Sequence, residues 1–246
     1  MQSIVDYSQL VAAYSKNNKL KFDKRPGKWL PLYPSPKLAG LIADLMADGN
    51  LQEPPRWRFD YCSNSLSELA RFETVLYSLF GVKGKIRDCT TNKYGTKNYG
   101  VNCRPLAKIL FLAGVPCGNK VLKQYSIPEW ILNDKGCFAI FARRYFDCEG
   151  GVYIKDRMLT IEIYKSTEII ESGLAFLNQV KEGLQKYFGI TTMNPFLLSK
   201  KVKRTYGATV QGVRLRIRRK EDLAKFYALI GLDTASKMER LKLAIV

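Results

Sequence analysis

LIADLMADG (Leu41 to Gly49) and ARRYFDCEG (Ala142 to Gly150) each bring an apolar stretch to an acid followed at once by glycine. Glycine just past the last periodic residue stops a helix. Asp48 and Glu149 are therefore expected at helix C-termini, where the macrodipole is negative and a carboxylate needs compensating positive charge. If the two helices pack side by side about a pseudo-twofold axis, the two like charges meet. Such a position suits Mg²⁺, which takes carboxylate, water and phosphate oxygens. Ala43 and Ala47, four apart, keep one face of the first helix small for close approach. A core helix with a polar end is the plainer alternative for either copy taken alone.

The likeness extends outward from these stretches. LAKILFLAG (Leu106 to Gly114) is answered by LAKFYALIG (Leu223 to Gly231), and each glycine is followed by a lysine, Lys120 and Lys237. LYSLFGVKGKI (Leu76 to Ile86) is answered by LQKYFGITTM (Leu184 to Met193), each a helix end stopped at glycine and then an extended segment. The order is the same in both halves while the spacing drifts, as surface loops allow. The chain reads as a tandem duplication in which each copy runs helix, two strands, helix, two strands, helix. Residues 1–35 form an N-terminal extension, 36–134 the first repeat with a linker from about 125, and 135–246 the second repeat.

Composition narrows the chemistry. The 246 residues carry 40 Lys and Arg against 22 Asp and Glu, a net charge of +18. Residues 1–134 hold 19 basic and 11 acidic side chains and residues 135–246 hold 21 and 11, so both halves are basic. A polyanion, nucleic acid first, is the expected partner. There is no histidine, which excludes Ser-His and Cys-His nucleophile pairs and histidine metal sites. The six cysteines show no paired spacing and read as reduced thiols. No secretion signal or membrane-span pattern is visible, so an intracellular, soluble protein is expected.

Strict alternation in VRLRIRRK (Val213 to Lys220) puts Arg214, Arg216 and Arg218 on one face of a strand and Val213, Leu215 and Ile217 on the other. Its expected antiparallel neighbour, SKKVKRTYG (Ser199 to Gly207), adds Lys200, Lys201, Lys203 and Arg204. A two-stranded basic ribbon fits a DNA groove, where Arg and Lys hold phosphates and read base edges. A weaker counterpart in the first half is made by RWRFDYCSN (Arg56 to Asn64, with Arg56 and Arg58), KGKIR (Lys83, Lys85 and Arg87), the loop TTNKYGTKNYG (Thr90 to Gly100) and Arg104. Solvated sheet surfaces also carry alternating charge, and for Lys83 and Lys85 the two readings stay level.

With both acid-glycine stretches in place, the sequence resembles the LAGLIDADG homing endonucleases, specifically the single-chain members with two motif copies. The literal letters LAGLI at Leu38 are out of register. Aligned from Leu41, Asp48 is eighth and Gly49 ninth; in ARRYFDCEG, Glu149 is eighth and Gly150 ninth. Arg144 departs from the family at the third position, where a small residue is usual. The resemblance implies an α+β fold: a tandem pseudo-twofold duplication of an αββαββα-like unit, with two antiparallel four-stranded sheets forming a DNA-binding saddle. It further implies a monomer that makes a double-strand break in a long double-stranded DNA target by phosphodiester hydrolysis, leaving 3′ overhangs. Two or three Mg²⁺ or Mn²⁺ ions would be shared between Asp48 and Glu149, with the backbone carbonyls of Ala47 and Cys148 as further ligands. Lys120 and Lys237 match the family's basic residues that orient water or neutralise the transition state. An intron maturase gripping RNA, or a non-cleaving nucleic-acid-binding protein, is the alternative on the same fold.

Overall fold

In the first half, α1 (Tyr7–Ala12) is followed by α2 (Pro36–Met46), whose start is set by Ser35. The Ser35 hydroxyl accepts the Leu38 amide at 3.2 Å, and Pro36 sits at the first helical position, where its missing N–H costs nothing. The computed structural model describes residues 2–14, 25–89 and 95–246. By contacts the chain forms two units, Met1–Gly118 and Asn119–Val246. The second unit thus begins upstream of the sequence repeat boundary at 134–135, so Lys120 and the linker count with it.

The first unit continues with β1 (Gly49–Leu51), β2 (Phe59–Ser63), α3 (Leu66–Phe80), β3 (Lys85–Asp88), β4 (Lys97–Val101) and α4 (Arg104–Leu112). The second holds α5 (Glu129–Leu132), α6 (Lys135–Glu149), β5 (Gly150–Tyr153), β6 (Met158–Ser166), α7 (Ile170–Phe188), β7 (Phe196–Lys203), β8 (Thr209–Ile217), α8 (Lys220–Leu229) and α9 (Ala235–Ile245). Each unit builds one antiparallel four-stranded sheet, with orders β1-β2-β4-β3 and β5-β6-β8-β7. The expected αββαββα order therefore occurs twice, with the same strand order.

Helices cover one face of each sheet. In the first unit Tyr61 of β2 stacks on Phe72 of α3 at 4.6 Å between ring centroids, and Tyr99 of β4 meets the same ring edge-on at 5.8 Å. In the second, Leu159, Ile161 and Ile163 of β6 and Val213, Leu215 and Ile217 of β8 are buried, and Phe146 of α6 packs on Phe226 of α8 at 4.8 Å. Both long central helices stop at glycines in the left-handed region, Gly81 (φ +63°) and Gly189 (φ +60°), as the sequence predicts.

Several local expectations are corrected. The arginine strand is Thr209–Ile217, so Arg218 lies beyond its end, Arg219 caps α8 and Lys220 opens it. Its neighbour β7 ends at Lys203, and Arg204 belongs to the hairpin turn, where its amide donates to Ala208 at 2.9 Å. Lys97–Val101 is a strand rather than loop, while residues 90–94 of that stretch lie outside the described residues. Arg56 and Arg58 precede β2 in the turn region, and Lys83 precedes β3. An additional helix, α9, follows the αββαββα order inside the second repeat and carries Lys237, which was expected after the last helix.

The glycine that ends each motif helix is needed for space. Gly150 has φ −92°, which any residue adopts, yet a Cβ there would lie 2.2 Å from the Phe146 carbonyl oxygen; at Gly49 it would lie 2.5 Å from the Leu45 Cα. At Gly81 the reverse holds, with a left-handed backbone and nothing within 4 Å. Gly150→Ala should therefore cost about 2–3 kcal/mol of unfolding free energy by the rules of overpacking. Gly81→Ala should cost about 1 kcal/mol, the left-handed penalty alone. Urea denaturation of the two variants checks the order, and equal losses would remove the steric account of Gly150.

Candidate functional site

The chain passes from α6 directly into β5, and from α2 into β1 through a turn of two residues, Ala47 and Asp48. In the first unit the Ala47 amide still donates to Ala43 at 2.9 Å, Asp48 is exposed just beyond, and β1 starts at Gly49. The Asp48 carbonyl accepts the Cys62 amide from β2 at 3.2 Å, so this acid's backbone is held by the sheet. In the second unit Glu149 is the last residue of α6, half-buried, and β5 starts at Gly150. Asp44, one turn before Asp48, is fully buried and committed: Arg71 of α3 donates to both its oxygens at 2.9 Å, and Glu68 holds the same guanidinium at 3.0 Å.

Lys237 is brought to the Glu149 end of α6. Its ammonium donates to the carbonyl oxygens of Asp147 and of Gly150, the latter at 2.8 Å, so it satisfies helix-end carbonyls on either side of Glu149. Two buried charges hold the element that carries it. Arg144, 3% exposed, donates to Asp147 and Asp233 at 3.0 Å each. The Asp147 carboxylate also accepts the amides of Asp233 (2.6 Å) and Thr234 (3.2 Å), the residues leading into α9. A carboxylate on α6 thereby binds the orphan amides at the start of α9, and Lys237 follows in the first turn. The arginine at the usually small motif position is thus turned into its own unit as a strut.

Lys120 lies in a turn at Asn119–Leu122, half-buried, and its carbonyl accepts the Lys165 ammonium at 2.7 Å. Glu149 has two phenols as neighbours, Tyr125 and Tyr145, both pushed up first by desolvation and further by the Glu149 charge. The Tyr145 hydroxyl is buried without a well-aligned partner. Among the described residues no three His, Cys, Asp or Glu side chains cluster as a metal-ligand set. Each helix-to-strand junction offers one carboxylate, Asp48 or Glu149, and its neighbouring backbone oxygens.

The basic residues fall on the sheets and their rims. Lys85 and Arg87 are exposed on β3, an edge strand; Lys200, Lys201 and Lys203 are exposed on β7, also an edge. Arg204 and Arg218 are exposed beyond strand ends. Arg56, Arg58 and Arg104 sit together near the β1–β2 turn, where Arg58 donates to Gln52 at 2.7 Å and Arg104 to the Pro55 carbonyl at 3.3 Å. Lys83 lies 3.9 Å from Glu73 and over the Tyr77 ring. On β8 the row of like charges is partly relieved from within: Arg214 pairs with Glu162 directly opposite on β6 (Nε to Oε2 2.9 Å), and Arg216 stacks over Phe196 at 4.7 Å with its buried Nε lacking a partner. The sequence marks Arg144 only as a large residue at a usually small position, and it gives Asp147, Asp233 and Lys165 no role. Of those three, Lys165 alone carried a signal, standing in phase with Leu159, Ile161 and Ile163.

If the Arg144 strut works as described, Arg144→Met strands two carboxylates and should lose about 3–5 kcal/mol of stability. Arg143→Met, whose partly exposed guanidinium donates to the Ile230 carbonyl at 2.6 Å and lies 3.6 Å from Asp233, should lose less, about 1–2 kcal/mol. Chemical denaturation of both variants reads the difference, and equal small losses would count against the strut.

No protein-family model and no curated protein matches this chain in sequence. Solved structures do match in shape. The full-length DUF199/WhiA protein of Thermatoga maritima aligns with TM-score 0.52 and 15% identity over 91% of this chain and 66% of its own, so the present chain spans about two thirds of that protein. Its isolated N-terminal LAGLIDADG domain aligns with TM-score 0.50 and 14% identity over 98% and 100%. Mesophilic variants of the homing endonuclease I-DmoI give 0.51 and 14% over 79% and 95%. The homing endonuclease I-WcaI, bound to its DNA recognition sequence, gives 0.51 and 11% over 95% of each chain. At these identities the likeness is one of fold, and the chain has the LAGLIDADG fold with two antiparallel four-stranded sheets.

Proposed function

We propose that this chain is a site-specific DNA endonuclease of the single-chain, two-motif kind, making a metal-dependent double-strand break in a long target and leaving 3′ overhangs. One observation carries the reading: an acid stands immediately before a sterically required glycine at the same helix-to-strand junction in both units. A fold alone needs the two glycines but not the two acids. The solved complexes of I-WcaI with its recognition sequence and of I-DmoI with nicked target DNA in the presence of 2 mM Mn support the same partner and ion class.

The donor set fits a hard divalent cation, since it is all oxygen and stands at helix ends of negative potential. Asp48 with the Ala47 carbonyl, and Glu149 with the Cys148 carbonyl, would hold Mg²⁺ or Mn²⁺. When bound, such an ion lowers the pKa of water and offsets charge on the leaving 3′ oxygen. Lys237, fixed beside Glu149, adds positive charge where negative charge builds on the phosphate. Lys120 orients the attacking water or neutralises the phosphate. Lys85, Arg87, Lys200, Lys201 and Lys203, on exposed edge strands, hold phosphates, with Arg56, Arg58, Arg104, Arg204 and Arg218 extending the contact. A non-cleaving nucleic-acid binder or maturase is the second reading, favoured by the use of the Lys237 ammonium as a helix cap.

Incubation with a library of long DNA targets and Mg²⁺, with and without chelator, should yield cut products only without chelator. Binding that persists with no target cut would leave the second reading. Asp48→Asn and Glu149→Gln should abolish cutting while changing DNA affinity little; an equal loss of affinity would make the acids structural. Affinity should fall with salt at a log–log slope of about −0.9 per phosphate contacted, and a flat response would exclude the basic strands as the interface.

A further inference from the structure

The inward phase of β6 runs Leu159, Ile161, Ile163 and then Lys165, which is fully buried. A lysine so placed must have its donors satisfied. Its ammonium donates to the carbonyl oxygens of Lys120 at 2.7 Å and Lys123 at 2.6 Å, and it lies 3.6 Å from the centroid of the Tyr125 ring. The adjacent Ser166 amide donates to the Val121 carbonyl at 2.8 Å. Three carbonyls of one short turn are thus bound to the end of one strand.

Room for the lysine stem is made by a glycine inside α7. A Cβ at Gly173 would lie 3.0 Å from Lys165 Cγ and 2.9 Å from Val213 Cγ2. Glycine within a helix is unfavourable by propensity, and here its absent side chain opens the path of the stem. The turn is braced internally too, since the Val121 amide donates to the Asn119 side chain at 3.0 Å and the Leu122 amide to the Asn119 carbonyl at 3.0 Å. Burial, helped by the charge of Lys120, brings Lys165 from its ordinary value near 10.5 down to about 7. The carbonyls and the Tyr125 face are what keep a proton there.

We infer that Lys165 is a positioning residue: its ammonium fixes the turn at 119–125 on the core of the second unit and so sets Lys120 for phosphodiester cleavage. This rests on the role given to Lys120 above. The lysine that follows the last helix of the first repeat is, on this account, held by a strand of the second.

Lys165→Met keeps the stem and removes the donors. Its single-turnover cleavage rate should fall at least tenfold with the DNA Kd within twofold of the parent. In a Lys120→Met background the same change should alter the rate less than twofold, because the clamp acts through Lys120; fully additive losses would overturn the inference. Amides of 119–125 should exchange with solvent at least tenfold faster in Lys165→Met while those of β8 are unchanged, and unchanged exchange in the turn would overturn the clamp. If Lys165→Met fails to fold, Gly173→Ala, which narrows the channel, is measured the same way with the same outcomes. Should the parent protein cut no DNA, the cleavage reading falls, and the exchange measurement alone then decides whether Lys165 holds the turn.

Discussion

Each unit depends on a helix that gives way to a strand within two residues or fewer, with the chain turning so closely that a Cβ at the first strand residue meets the helix. The distances of 2.2 and 2.5 Å to the preceding helical turn leave glycine as the residue that fits without a shift. The fixed turn has two consequences. It starts β1 and β5 in contact with the ends of α2 and α6, which sets the register of the hairpins that follow: Gly49 pairs with Tyr61 and Gly150 with Ile161. It also leaves the preceding residue at a helix end of negative potential, where an acid is unfavourable unless a cation answers it. The steric requirement explains the glycines completely and the acids not at all, and that gap is the physical basis for giving Asp48 and Glu149 a chemical role.

The two motif helices each bury a charge, and they do so differently. Asp44 in α2 is answered by Arg71 of α3; Arg144 in α6 is answered by Asp147 and Asp233. Buried ion pairs recover little net stability against an apolar pair of the same size, because desolvation offsets the attraction. Their geometry is directional, however, and each fixes one element relative to the motif helix. In the first unit the fixed element is α3; in the second it is the entry to α9. A large residue at the third motif position is accommodated by this change of partner: the Arg144 side chain is 3% exposed and takes up a buried carboxylate that would otherwise need another cation.

Where local chemistry dictated structure, the sequence could be read closely. The helix-ending glycines after α3 and α7 and the inward Val213, Leu215 and Ile217 follow from propensity and period. The expected arginine strand is longer than the observed one because alternation reports side-chain pattern and not pairing: Arg219 is still extended, yet pairing with β6 stops at Ile217. The strand at Lys97–Val101 was missed because only Tyr99 and Val101 mark its inward face, the outward positions being Asn98 and Gly100. At the site, the acids were legible as a repeated pattern. The Arg144–Asp147–Asp233 strut was not: Arg144 and Asp147 stand three apart on α6, but the third member, Asp233, is 89 residues away and nothing local points to it.

Lys120 and Lys237 occupy corresponding places in the sequence, yet the fold secures them by different atoms. Lys237 is secured through its own ammonium, given to two carbonyls at the end of α6, so its charge is spent partly on the helix terminus beside Glu149. Lys120 is secured through its backbone carbonyl, which receives the ammonium of another lysine. A side chain that is itself the anchor cannot move without uncapping the helix, whereas a residue anchored by its backbone keeps its place whatever its side chain does. Equivalence of position in a duplicated sequence therefore does not make the two lysines equivalent in chemistry. The Lys237 ammonium can engage a phosphate or a water only while shared with the two carbonyls it caps, so its contribution to any charge neutralisation is tied to the end of α6.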